Sequence, residues 1–135
     1  MSYHLFLDDS RQPKDVKWLE LPPYNWVVVK TVNEFINTVM SKGIPETVSF
    51  DHDLAQEHYD EYTVAHDEKM LSRGTIRYHI FKEKTGYDAA KWLAEECVAR
   101  NVPIPLYYIH TLNPIGRQNI FSILESARKV LTESK

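Results

Sequence analysis

Three segments with the composition of buried strands are each followed by side chains that can ionise or bind a metal ion. These side chains are Asp8 and Asp9 after residues 3–7, Asp51, His52 and Asp53 after residues 47–50, and His110 after residues 106–109. The carboxyl ends of parallel strands meet at one edge of a sheet, where ligands bind in open α/β folds. The spacing therefore predicts that all six groups share one functional rim.

The acidic members of this set predict a metal site. Carboxylates that lie close together raise one another's pKa unless a cation sits between them, and oxygen ligands suit Mg²⁺ or Mn²⁺. We therefore predict Asp8, Asp9, Asp51 and Asp53 as ligands of Mg²⁺ or Mn²⁺. In the alternative interpretation, one of the first two carboxylates caps the following turn and pairs with Arg11.

Two histidines at different strand ends predict acid–base chemistry. Imidazoles that titrate near neutral pH can serve as general base and general acid, the roles that cleavage of a phosphodiester requires. We predict His52 and His110, together with Asp51, as catalytic residues. Alternatively, each histidine is a hydrogen-bonded structural residue.

Two predicted helices begin at the same rim and offer backbone N–H groups to an anion. One follows Thr85 and contains Asp88, and the other follows Asn113 and contains Arg117. With Arg11, these residues form the predicted substrate-binding set, since guanidinium, amide and hydroxyl groups donate to phosphate oxygens. In the alternative, Asn113 only caps its helix, Arg117 is solvated and Asp88 complements the helix dipole.

Strands and helices alternate along the chain, which predicts an α/β sandwich with a mainly parallel sheet. The predicted strands are residues 3–7, 26–29, 47–50 and 106–109, and the predicted helices lie between Thr31 and Gly43, over residues 86–100 and from Asn113 onward. Any helix between the first two strands is predicted to be short or irregular. The tryptophans are predicted to be core or core-edge residues rather than base-stacking platforms: Trp18, Trp26 and Trp92.

Residues 55–85 form a long insertion after the third strand, with an acidic first half and a basic second half. A compact domain rarely carries so long a connection without using it. We predict a lid over the rim, because a cationic flap can close over an anionic ligand. The alternative is a solvated excursion whose charges pair with one another.

The composition indicates one globular domain over residues 1–135, with 16 basic and 19 acidic side chains and a formal net charge of -3. This balance argues against an extended groove for duplex nucleic acid and favours a small phosphate-containing ligand or an RNA end. Cys97 is the single cysteine, and no apolar run is long enough for a signal segment or a membrane span. We therefore expect a cytoplasmic protein.

Four blocks of the sequence, in this order, resemble the cyclic-phosphate processing receiver-like domain. They are LFLDDSRQP at 5–13, SFDHDL at 49–54, TGYDAAKWL at 85–93 and IHTLNPIGRQNI at 109–120. The family is similar to response-regulator receivers, so the resemblance implies a flavodoxin-like three-layer sandwich. It also implies that Asp8 and Asp9 match the acidic pair that holds Mg²⁺, and that Asp51 matches the aspartate that accepts phosphate in ordinary receivers.

The resemblance implies a function in processing cyclic phosphates on nucleotides or RNA ends, with His52 and His110 as catalytic groups. The sequence shows no fifth strand carrying the lysine that ordinary receivers use to contact phosphate, which argues against simple phosphorelay. We therefore expect a metal-assisted phosphoesterase, that is, a hydrolase. The alternative is a non-enzymatic receiver-like module that binds a nucleotide or takes up phosphate at Asp51.

Overall fold

In the computed structural model, the described residues are 2–54 and 85–133, and they form one parallel four-stranded sheet with three α-helices. The elements in chain order are β1 (His4–Leu7), a 3-10 helix (Pro13–Asp15), β2 (Trp26–Val29), α1 (Val32–Lys42), β3 (Thr47–Phe50), α2 (Gly86–Arg100), β4 (Leu106–Ile109) and α3 (Pro114–Glu133). The predicted α/β class with a parallel sheet is confirmed. The predicted insertion and lid at 55–85 lie, except for Thr85, outside the described residues.

Local sequence signals set the helix boundaries. The Thr31 hydroxyl accepts a hydrogen bond from the Glu34 N–H at the start of α1, and Gly43 ends that helix with a positive φ of 93°, a conformation that glycine adopts without steric cost. Helix α2 begins with a capping box of Thr85 and Asp88 and ends at Asn101 in the left-handed region.

The strand order β2-β1-β3-β4 places a reversal of direction between β1 and β3. The chain moves from β1 to one side to form β2, then returns across β1 to form β3. Because crossovers between parallel strands are right-handed, the β1–β2 connection lies on one face of the sheet and the connections through α1 and α2 lie on the other. The crevice at this switch point is bounded by the residues that follow β1 and β3.

One face of the sheet carries the main core. Its apolar side chains include Leu5, Leu7, Val48 and Phe50, and they pack in one cluster with the buried residues of α1, α2 and α3. Helices α2 and α3 also pack against each other. This cluster supplies the apolar burial that holds the strand ends in register.

The opposite face is covered by the segment between β1 and β2, whose single helical turn is the 3-10 helix, as the sequence indicated. The rings of Phe6 and His110 stack here with centroids 4.4 Å apart, and Trp26 meets Phe6 edge-on at 6.1 Å. Among the described residues, this face of the sheet is therefore covered by an irregular segment and an aromatic stack. The three α-helices cover the other face. In the described ranges, no helix is long and apolar enough to cross a membrane.

Shortening a core side chain should destabilise the fold. Leu93 on α2 has no exposed surface and belongs to the main cluster. We expect Leu93→Ala to lower the free energy of unfolding by about 2 to 5 kcal/mol, since it removes apolar contacts and leaves a cavity. Urea denaturation measures this loss. Val98→Ala, at a 38% exposed position of the same helix, is the control and should change stability by less than about 0.5 kcal/mol; similar losses in both variants would contradict this assignment of the core.

Candidate active site

The ends of three neighbouring strands are fixed by backbone hydrogen bonds that continue the ladder by one residue. The Asp8 N–H donates to the Val29 carbonyl at 3.0 Å, the Asp51 N–H to Leu7 at 3.0 Å and the His110 N–H to Phe50 at 2.9 Å. Asp8, Asp51 and His110 are all buried, and each offers a ligand atom within 4.8 Å of the others. The predicted convergence of these three residues is therefore observed.

The Asp8 carboxylate has no exposed surface and accepts several hydrogen bonds. Its Oδ1 accepts from the backbone N–H groups of Ser10 and Arg11, both at 2.9 Å. Its Oδ2 lies 3.0 Å from Nε2 of His110 and 3.4 Å from a guanidinium nitrogen of Arg11. The backbone bonds cap the turn after β1 and the Arg11 contact is an ion pair, so the alternative role of Asp8 is present alongside its position in the cluster.

Both ring nitrogens of His110 are engaged. Because the Asp8 carboxylate accepts, Nε2 carries the hydrogen, and Nδ1 then accepts from the Ser49 hydroxyl at 2.7 Å. The ring has no exposed surface and stacks on Phe6. His110 is thus held by hydrogen bonds at both ring nitrogens, and it orients the Asp8 carboxylate.

Burial and neighbouring charges shift the pKa values of all three clustered residues. Burial alone would raise the pKa of Asp8, but the hydrogen bonds from His110 and the two backbone N–H groups hold that pKa below its usual value. Burial, and then the adjacent Asp8 charge, raise the pKa of Asp51 to about 7. Burial also lowers the pKa of His110, although Asp8 opposes this shift. A cation between the two carboxylates would relieve their repulsion.

Arg11 is a cation that the structure already places beside this pair. Its guanidinium lies 3.4 Å from Oδ2 of Asp8 and 3.9 Å from Oδ1 of Asp51, and the Arg11 side chain is about one-third exposed, at 33%. A guanidinium in this position can donate to a phosphate oxygen at the rim. Arg11 therefore contacts the carboxylate cluster, as the alternative interpretation of the sequence predicted, and its assignment to substrate binding stays a prediction.

His52 belongs to a second cluster at the same strand end. Its Nδ1 donates to Oδ1 of Asp53 at 2.8 Å, and the Asn113 amide donates to the two Asp53 oxygens at 3.2 and 3.3 Å. In the neutral ring this leaves Nε2 of His52 with its lone pair, and the side chain is partly exposed, at 17%. The arrangement is that of a base oriented by a carboxylate.

Two glycines allow the helices to approach this strand end. A Cβ at Gly116 would lie 2.3 Å from Cγ of His52, and a Cβ at Gly86 would lie 1.7 Å from the Asp51 carbonyl oxygen. Both distances are far too short for real contacts. The absence of a side chain at these positions therefore lets the His52 ring rest on the first turn of α3 and the backbone after β3 rest on α2.

The remaining predicted site residues take up other positions. Asp53 contacts His52 and Asn113 rather than the buried cluster, and Asp9 follows Asp8 at a half-buried position outside that cluster of three.

Thr85 and Asp88 bond to each other in the capping box, with their side chains 2.8 Å apart. Asn113 caps α3 by accepting from the Gly116 N–H at 2.9 Å, and Arg117 is exposed. Their contacts with a substrate stay predictions.

The chain was compared with known proteins. The profile of the cyclic-phosphate processing receiver domain matches residues 3–126. The chain belongs to this family. No curated protein and no solved structure shows a significant match. Family membership agrees with the parallel receiver-like sheet and associates the domain with cyclic-phosphate processing.

Three residues contact the predicted site residues at this rim although the sequence did not assign them there. Ser49 reads as one polar residue in a buried strand, yet its position two residues before Asp51 places it on the same face, which was an available signal. Gly116 lies in the N-P-x-G block, but its contact with His52 joins residues distant in sequence. Trp18 donates its indole N–H to the His110 carbonyl at 2.9 Å, a contact that no local pattern indicates.

Removing the Asp51 charge should stabilise the metal-free protein at neutral pH. An unfolded aspartate titrates near about 3.9, whereas the pKa of folded Asp51 is about 7. Between these two pH values the folded state holds a proton that the unfolded chain lacks. The stability that the protonated Asp51 side chain provides is therefore complete below about pH 4 and is lost as the pH rises through about 7. We expect Asp51→Asn to raise the free energy of unfolding at pH 8 by roughly 1 to 4 kcal/mol, and to have little effect near pH 4.

Denaturation from pH 4 to pH 8, with and without Mg²⁺, measures this difference. Glu95→Gln, at an exposed position of α2, is the control, and its stability should follow that of the wild type from pH 4 to pH 8. Mg²⁺ should stabilise the wild type more than Asp51→Asn. A metal-free Asp51→Asn protein that is less stable at pH 8 would mean that the Asp51 carboxylate is a structural hydrogen-bonding group.

Removing the Ser49 hydroxyl should loosen the His110 ring that orients Asp8. Ser49→Ala leaves Nδ1 of a buried ring without its donor, which costs about 1 to 3 kcal/mol. Long-range ¹H–¹⁵N NMR should show the Nε2–H tautomer in both proteins, because the Asp8 carboxylate accepts from Nε2 in each, and a changed Nδ1 chemical shift in the variant. Thr47→Val, at a buried position on the same face of β3, is the control. Unchanged His110 signals in Ser49→Ala would exclude this positioning role.

Proposed function

We propose that this receiver-like domain is a metal-assisted phosphoesterase that opens a cyclic phosphate on a nucleotide or at an RNA end. The observation that carries the proposal is the buried pair Asp8 and Asp51, with His110 within 4.8 Å, at the switch point of the sheet. Two adjacent buried carboxylates repel each other unless a cation lies between them, and groups with such perturbed pKa values cluster at functional sites. Membership of a family associated with cyclic-phosphate processing supports the same assignment.

The residues present fit a divalent cation. Two carboxylates offer oxygen ligands, and the pKa of Asp51, raised to about 7 by burial and by the Asp8 charge, is the response expected where a positive charge would be stabilising. We propose that Asp8 and Asp51 hold Mg²⁺ or Mn²⁺, with Asp9 beside them. The ion would polarise a phosphoryl oxygen and neutralise developing charge.

His52 is the group proposed to move protons. Water attacks the phosphorus and gives a proton to Nε2 of His52, while the P–O bond of the ring breaks. The leaving oxygen, opposite the attacking water, takes its proton from solvent, and the His52 imidazolium returns its proton to solvent. Asp53 holds the ring in the required tautomer and stabilises the cation that forms. Arg11 and the first turn of α3, including Asn113 and Arg117, would face the phosphate.

In this proposal His110 positions Asp8 and does not exchange protons with the ligand. Both of its ring nitrogens are already hydrogen-bonded, and its side chain has no exposed surface. Of the two histidines predicted as acid–base catalysts, only His52 keeps that role in this proposal. We also propose a cytosolic location, which would keep the buried free thiol of Cys97 reduced.

Turnover assays with Mg²⁺ or Mn²⁺ test this function. The substrates are 2′,3′-cyclic nucleotides, 3′,5′-cyclic nucleotides, cyclic dinucleotides and a cyclic phosphate of ADP-ribose. We expect His52→Gln to lower kcat by about 10²- to 10⁴-fold, as for loss of a general base, and Asp51→Asn to weaken activation by the metal. His4→Gln, at the amino end of β1, is the control and should retain activity.

No turnover of any of these substrates would overturn the proposal. Incubation with acetyl phosphate and Mg²⁺, followed by intact-mass analysis, tests the alternative signalling role. Addition of one phosphoryl group to the wild type, and not to Asp51→Asn, would favour a receiver module with Asp51 as its acceptor. Arg11 beside Asp51 is compatible with that outcome too.

A further inference from the structure

Trp18 is exposed next to the carboxylate cluster, although it was predicted to lie in or at the edge of the core. The residue is 40% exposed, yet its indole N–H donates to the His110 carbonyl at 2.9 Å. One end of the ring is therefore fixed to the end of β4, while much of its surface faces solvent. A large apolar surface held rigid beside a polar site costs little entropy when a ligand covers it.

Arg11 connects the Trp18 ring to the carboxylates. The guanidinium carbon lies 5.1 Å from the centroid of the Trp18 ring, and the same guanidinium contacts Asp8 and approaches Asp51. One arginine side chain thus separates the indole from the carboxylates. In a nucleotide, one sugar separates the base from the phosphate, so a ligand with its phosphate at the cluster can bring its base to the indole.

An open cavity of about 470 Å³ lies along this part of the chain. Trp18 lines it together with Lys14, Lys17 and Leu19. Lys14 and Lys17 outnumber Glu20 on the lining of this cavity, so its net charge is positive, and Leu19 adds apolar surface. Apolar and aromatic surface with a cationic border is the usual setting for stacking a base beside a phosphate.

We propose that Trp18 and Arg11 form a subsite for the nucleobase of the ligand, so that the phosphate is recognised as part of a nucleotide. This inference rests on the proposed function only in taking the ligand to be a cyclic phosphate. The base stacks on the exposed indole, and Arg11 joins this stack to the phosphate oxygens. The same chemistry is present in a free 2′,3′-cyclic nucleotide and at an RNA end that carries a 2′,3′-cyclic phosphate.

Paired ligands with and without a base test the subsite. The probes are adenosine 2′,3′-cyclic phosphate, glycerol 1,2-cyclic phosphate and a short oligoribonucleotide ending in a 2′,3′-cyclic phosphate, each titrated by NMR in the presence of Mg²⁺. We expect Trp18→Leu to weaken binding of both base-bearing probes by about 5- to 100-fold, the range for loss of one base–aromatic stack. Binding of the glycerol compound should change by less than about twofold, and Trp18→Phe should restore most of the lost affinity.

Phe121→Leu is the control, since Phe121 is an aromatic residue 48% exposed on α3. It should leave binding of all three probes unchanged. In the wild type, the indole N–H signal of Trp18 should shift with the base-bearing probes and not with the glycerol compound. Preference for the oligoribonucleotide over the mononucleotide would identify an RNA end as the source of the base.

The outcomes separate this inference from the proposed function. Equal weakening of the base-bearing and base-free probes by Trp18→Leu would overturn the subsite, because Trp18 would then act by supporting Arg11 and His110. If the wild type binds the probes and Trp18→Leu binds all of them equally well, the subsite is also overturned, while binding of the cyclic phosphate stands. Failure of the wild type to bind any probe would overturn the proposed function and the subsite together.

Discussion

The buried charge of Asp8 is the constraint around which the site is arranged. A carboxylate removed from water is expensive unless hydrogen bonds and opposite charges replace its hydration. Here two backbone N–H groups, the His110 ring and the Arg11 guanidinium do so. The donation by His110 requires a particular tautomer, and the Ser49 hydroxyl on the other ring nitrogen supports that tautomer. Ser49, His110, Asp8 and Arg11 thus form one connected network.

Asp51 bears the consequence of this arrangement. Asp51 is buried, and its neighbour is a carboxylate held ionised by four donors, so burial and then the Asp8 charge raise the pKa of Asp51 to about 7. The pKa values of the two carboxylates thus shift in opposite directions, although both follow adjacent strands. Because a proton and a cation compete for the Asp51 carboxylate, a cation would bind most tightly above about pH 7, where Asp51 is ionised. Arg11, which lies beside both groups, offsets only part of the repulsion.

The end of β3 directs successive side chains to two different clusters. Asp51 points toward Asp8 and His110, while the next residue, His52, packs against Gly116 on the helical side and bonds to Asp53. This division follows from the alternation of side chains along an extended chain. It gives the rim a buried anionic part and a more exposed imidazole part. The segment between β1 and β2 adds an exposed indole to the first part, because the reversal of strand order places that segment on the same face as His110.

The sequence by itself determined the strands, the helix boundaries and the presence of charged groups at the strand ends, because these depend on local patterns of apolar residues, caps and glycines. The motif order also indicated the family. Only the tertiary structure decided how the six rim groups divide, since the bonds of His110 to Ser49 and Asp8, and of Asn113 to Asp53, each join residues at least 60 positions apart. The exposure of Trp18 was likewise beyond local patterns. The residues around a tryptophan in a polar connection do not indicate whether its ring enters the core or lies at the rim. In this structure the hydrogen bond to the His110 carbonyl holds the Trp18 ring at the rim.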